Sequence, residues 1–72
     1  MEAAGTISIV VNGEAQSVAE GASVSQLLES LGIHAGRVAI ERNLQILPRL
    51  EWATTKVAAG DRYEIVQLVG GG

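Results

Sequence analysis

The sequence predicts an α+β fold: a mixed sheet of four to five strands with one main helix packed on one face. Three observations point there. Thr6 to Val11 is a β-branched run that stops at Asn12-Gly13, the strongest short-range hairpin signal. Ser23 to Leu31 carries a helix-start signature and a single apolar stripe. Arg62 to Val69 is a second apolar strand, and three glycines follow it, Gly70, Gly71 and Gly72.

The elements follow in order. Five of the six residues from Thr6 to Val11 are β-branched, and Ile7, Ile9 and Val11 alternate with Thr6, Ser8 and Val10. That is the period of a half-buried strand. Asn12 and Gly13 both tolerate positive φ, so the chain returns along Glu14 to Val18. In "SVSQ", Ser23 is the N-cap and Gln26 reaches back to its amide. Val24, Leu27, Leu28 and Leu31 then fall on one helical face, and Gly32 suits the left-handed residue after the helix end. Arg37 to Arg42 is a third strand, with Val38 and Ile40 inward. Asn43 begins a turn. "ILPRLEW" is an edge strand or a turn, because Pro48 has no N–H to give a sheet. "AAGD", Ala58 to Asp61, is another turn, and the density of apolar residues after it marks a central strand.

The first and last strands are the most apolar, so pairing them in the centre hides the most surface. They must run parallel for the helix to cross one face. That arrangement is a β-grasp; an α+β sandwich of other topology is the alternative. The expected organisation is one β-grasp domain over residues 1–69 and a flexible glycine tail over residues 70–72.

At 72 residues the chain makes one domain with a thin core. With 47 % hydrophobic and 18 % charged residues it belongs with folded rather than disordered chains. Trp52 and Tyr63 are its two aromatics, so the core must be aliphatic. The lack of cysteine removes thiol catalysis and cysteine-ligated metal, and fits a reducing compartment. A net charge of −3 with five Lys+Arg argues against nucleic-acid binding. No apolar run reaches the ~20 residues of a membrane span, and "MEAAGT" lacks the features of a signal peptide. The expectation is a soluble cytoplasmic protein.

No catalytic set emerges. His34, the single histidine, sits in the loop after the helix and reads as an exposed loop residue. Glu14, Glu20, Glu29 and Asp61 are expected in turns or on solvated faces. No metal site and no phosphate loop is evident. The glycine tail remains. It reads either as a frayed end or as an arm thin enough to enter a narrow channel. The four residues beyond Leu68 extend roughly 13 Å at ~3.3 Å each, enough to carry a terminal carboxylate into a partner's active site. ATP can activate such a carboxylate as an acyl-adenylate.

"VAIERNLQILPRLEW", Val38 to Trp52, resembles the ubiquitin-like sulfur carriers of thiamine thiazole biosynthesis, the ThiS family. That family has a similar strand, an Asn-centred turn, an apolar-Pro-Arg segment and a Trp three residues beyond the Arg. "AAGDRYEIVQLVGGG", "VVNGE" and "VSQLLESLGI" extend the resemblance over essentially the whole chain after Gly5. The final Gly-Gly alone is weakly specific; the Asn43, Pro48-Arg49 and Trp52 pattern carries the resemblance.

The resemblance implies a carrier, not an enzyme. A ThiF-type adenylating enzyme, using ATP and Mg²⁺, would convert the Gly72 carboxylate to an acyl-AMP. Sulfur supplied through a cysteine desulfurase would make a thiocarboxylate, and a ThiG-type thiazole synthase would consume it. No cofactor is expected on the chain itself. The family motif falls on Gly71 and Gly72, with Gly70 as added slack. Trp52 is expected as a packing anchor, with partner contact as the alternative reading. Arg49 is a surface arginine or a partner salt bridge. Tyr63 and Ile65 should face the helix and Val66 and Leu68 the other side, where they would dock partners if that face is open. The small subunit of molybdopterin synthase, another thiolation carrier and an inert β-grasp interaction module are the rival functions.

Overall fold

The computed structural model describes residues 5–69. Strand β1 (Thr6–Val11) turns at Asn12 and Gly13, whose φ values are 51° and 83°, into β2 (Glu14–Ala19). Positive φ at both positions is what the right-handed twist of a two-residue hairpin demands. Helix α1 (Val24–Leu31) follows. The N–H of Gln26 donates to Ser23 Oγ at 3.1 Å, and the N–H of Ser23 donates to Gln26 Oε1 at 2.9 Å, so the expected capping box is complete. Gly32 closes the helix in the left-handed region at φ 72°, and the Ile33 N–H reaches back to the Leu28 carbonyl.

A 3-10 turn (Ala35–Arg37) leads to β3 (Val38–Arg42). Arg37, expected as the first strand residue, lies in that turn because its N–H bonds back to the His34 carbonyl. The irregular segment is both of its expected forms in succession: a two-residue edge strand, β4 (Gln45–Ile46), then a second 3-10 turn (Arg49–Glu51) begun by Pro48. β5 spans Arg62–Gln67. It stops two residues short of the expected Val69, although the Leu68 N–H still donates to the Arg37 carbonyl at 2.8 Å. Residues 1–4 of the expected domain and the expected tail of Gly70, Gly71 and Gly72 lie outside the described residues.

The five strands form one mixed sheet in the order β2-β1-β5-β3-β4. β1 and β5 are parallel, and the other neighbours are antiparallel. This is the β-grasp arrangement, with β5 in the middle. The helix covers one face. Val24, Leu27 and Leu28 are buried there with Ile9, Val38, Ile40, Tyr63 and Ile65, each aliphatic side chain contributing roughly 2 kcal/mol. The loop before β5 is tied to the helix start: the Val24 N–H donates to the Thr55 carbonyl and the Val57 N–H to the Ala22 carbonyl. No helix among the described residues is long and apolar enough to cross a membrane.

Candidate functional site: the open sheet face that leads to the tail

Strand alternation sets this site. On β5, Tyr63 and Ile65 point into the core, with 1 % and 8 % of their surface exposed. Val66 and Leu68 point the other way and are 56 % and 48 % exposed. Ala39 stands opposite Val66, and Ile46 stands opposite Glu41 one row away. Val66, Leu68, Ala39 and Ile46 therefore place apolar surface on the uncovered face near the end of β5, and Val10 of β1 lies further back on the same face beside Arg62. Among the described residues no element covers them.

The other two expected docking residues make contacts of their own within the fold. Trp52 is buried at 4 % exposure within the core, and its Nε1–H donates to the Leu47 carbonyl at 2.9 Å. Its ring belongs to packing, not to the open face. A buried indole needs that partner, because an unsatisfied N–H costs its full desolvation. Arg49 is exposed, yet its guanidinium lies 5.2 Å from the centre of the Trp52 ring and Nη1 donates to the Ala35 carbonyl. It clamps one 3-10 turn onto the other. The structure thus sets Val66 and Leu68 on the open face and Trp52 in the core, with Arg49 against the Trp52 ring.

Asp61 corrects the expectation of a solvated turn residue. It is 5 % exposed and is the hub of a polar cluster. Its oxygens accept hydrogen bonds from Arg42 Nε at 3.0 Å, Asn43 Nδ2 at 3.1 Å, the Ala58 N–H at 2.9 Å and Tyr63 Oη at 2.8 Å. Burial is the largest single influence on its carboxyl and pushes it up, but the four donors together outweigh it and hold the group below the ordinary aspartate range. Burial, and then the hydrogen bond to Asp61, push the Tyr63 phenol up to about 12. The hydrogen bond to Asp61 raises Arg42. The cluster ties the end of β3 and the turn after it to the start of β5.

Asn12, expected as a turn residue, also has a structural role outside the hairpin. Beyond the β1–β5 ladder its amide pairs with the backbone of Ile65 through two hydrogen bonds. It anchors β5 just before the strand leaves the sheet. Its place in the hairpin turn masked this second role.

His34 is exposed, and its Nδ1 accepts from the Gly36 N–H, a local turn contact. Among the described residues no three His, Cys, Asp or Glu side chains are grouped to hold a metal ion.

The ThiS family model matches residues 7–72. The chain belongs to the ThiS family. The sulfur carrier protein ThiS of Escherichia coli is 38 % identical over 64 residues, 89 % of this chain and 97 % of that one. A crystal structure of the thiamine biosynthesis protein ThiS from Geobacter metallireducens superposes with a TM-score of 0.80 at 35 % identity, covering 92 % of this chain and all of that one. A thiazole synthase of Paramagnetospirillum magneticum is 42 % identical over 64 residues, but this chain spans only 20 % of its length. The β-grasp described above is thus the ThiS fold, and the sheet face that carries Val66 and Leu68 is part of it.

Proposed function

We propose that this ThiS-family chain is a sulfur carrier of thiamine biosynthesis whose cargo rides on the carboxylate of Gly72. One observation carries the reading furthest. The central strand presents Val66, and the residue just past its end presents Leu68, to an uncovered face, and after Val69 the sequence continues as Gly70, Gly71 and Gly72. A docking face placed at the root of a side-chain-free arm suits delivery of a carboxylate into another protein's active site.

The chemistry proceeds on the partner. The Gly72 carboxylate attacks the α-phosphorus of ATP on a ThiF-type adenylating enzyme, with Mg²⁺ neutralising the departing pyrophosphate. The resulting acyl-AMP is open to a nucleophile. A persulfide sulfur, derived from a cysteine desulfurase, displaces AMP, and a thiol then breaks the S–S bond to leave the thiocarboxylate. A ThiG-type thiazole synthase takes up that sulfur. Proteins named thiazole synthase that contain a segment similar to this chain support the last pairing, since they join both partners in one polypeptide. The chain is a co-substrate throughout and holds no cofactor of its own. Its proposed place is the cytoplasm.

Intact mass spectrometry tests this. The protein is incubated with ATP, Mg²⁺, a persulfide source and a ThiF-type enzyme. The expected result is a gain equal to one oxygen replaced by sulfur, abolished when Gly72 is deleted. An unchanged mass, with the enzyme active on another carrier, overturns the reading in favour of an inert interaction module. Turnover by thiazole synthase then separates this branch from molybdopterin synthesis.

A further inference from the structure

The open face also carries charge in an arrangement that folding does not explain. In the register of β3 and β5, Glu41 stands directly opposite Glu64. Both side chains lie on the uncovered side, Glu64 exposed and Glu41 half-buried. Like charges at directly opposed positions destabilise a sheet. Neither is neutralised internally: the ion pair among the described residues joins Arg42 to Asp61. Arg62 stands one row further along β5, beside Val10. Val66 and Ala39 form the next row toward the tail, and Ile46 flanks Glu41 on β4.

We infer that Glu41 and Glu64 form an anionic recognition point within the apolar docking face, and that its occupant is a basic side chain of the adenylating enzyme. The inference rests on the sulfur-carrier reading and names the chemistry of the contact. An enzyme that holds ATP and a peptide carboxylate together must keep its site electropositive, because both ligands are anions. Its rim therefore offers lysine or arginine to whatever docks beside the site entrance. Glu64 lies on the strand that leads toward the tail and Glu41 faces it from the neighbouring β3, so the pair meets that rim when the tail enters. Val66, Ala39 and Ile46 exclude water around the pair, which strengthens a bidentate contact. The partner's cation would relieve the repulsion that the free protein carries.

The arrangement predicts opposite effects on folding and binding. Affinity of the full chain for the adenylating enzyme is measured by calorimetry at several salt concentrations, with the thermal midpoint of each variant recorded alone. Glu41→Gln with Glu64→Gln should leave the midpoint equal or higher, weaken binding about tenfold or more, and flatten its salt dependence. Glu29→Gln, on the exposed side of the helix, should change neither quantity. Wild-type affinity and salt dependence in the double variant would overturn the inference, as would a loss of affinity confined to thiazole synthase. Thiocarboxylate formation by the unaltered protein is followed in parallel. Its failure would sink the carrier reading itself, whereas normal sulfur loading with indifferent glutamates sinks only this contact.

Discussion

Asn12 and Ile65 are 53 positions apart and joined by two hydrogen bonds, Asn12 Nδ2–H to the Ile65 carbonyl at 3.2 Å and the Ile65 N–H to Asn12 Oδ1 at 2.7 Å. The side-chain amide stands in for the next peptide of β1 where that strand turns away. Asn12→Gly keeps the positive φ and removes both bonds. It should cost about 1–2 kcal/mol, and the Ile65 amide should exchange with solvent faster than its neighbours toward Arg62. Unchanged protection at Ile65 would contradict this role.

Asp61 makes stability depend on acid. Its folded carboxyl lies below the ordinary range, so its contribution is complete above the unfolded value of about 3.9 and is lost as pH falls through the folded value. Asp61→Asn should lose about 2–3 kcal/mol at neutral pH. Its stability should also vary less than that of the parent below about pH 4. Urea unfolding followed by Trp52 fluorescence at descending pH measures both.

Tyr63 is the single tyrosine, so an ultraviolet titration reports it alone. Its phenolate should form with an apparent pKa of about 12. Because the folded value is raised, stability is complete below the unfolded value of about 10 and falls as pH rises through the folded one. Asp61→Asn should bring the titration toward the ordinary tyrosine value, because it removes the anion that the phenol faces. A Tyr63 titration identical in both proteins would count against the cluster.

Asn43 and Leu44 form the turn between β3 and β4 with φ values of 52° and 72°. Asn43 is held there, since its Oδ1 accepts from the Arg62 N–H and its Nδ2 donates to Asp61. Leu44 has no such compensation and is 90 % exposed. Leu44→Gly should therefore raise stability by about 1 kcal/mol, whereas Asn43→Ala should lower it by about 1–2 kcal/mol. Chemical denaturation of the two variants should give shifts of opposite sign.

The helix and its caps were legible because Ser23, Gln26 and Gly32 act on partners within a turn of themselves. The β1–β2 hairpin was legible because Asn12-Gly13 is a local signal. The outward placement of Val66 and Leu68 followed from strand alternation alone. The edge piece at Gln45–Ile46 was harder, since two residues carry too little pattern to separate a strand from a turn. Asp61 was misplaced because "AAGD" looks like any polar turn. Its burial depends on Arg42, Asn43 and Tyr63 arriving from two strands.

The sequence by itself determined the element order, the helix limits and which side of each strand is apolar. Those properties arise from steric and solvation preferences of residues within a few positions of each other. It also determined ThiS-family membership, through the Asn43, Pro48-Arg49 and Trp52 pattern and its flanks. Only the tertiary structure decided that Trp52 serves the core, that Arg49 is spent clamping two turns, that Asn12 extends a ladder and that Glu41 faces Glu64. Each of those facts is a contact between residues distant in sequence. Register and chain crossing set them, and no local preference encodes either.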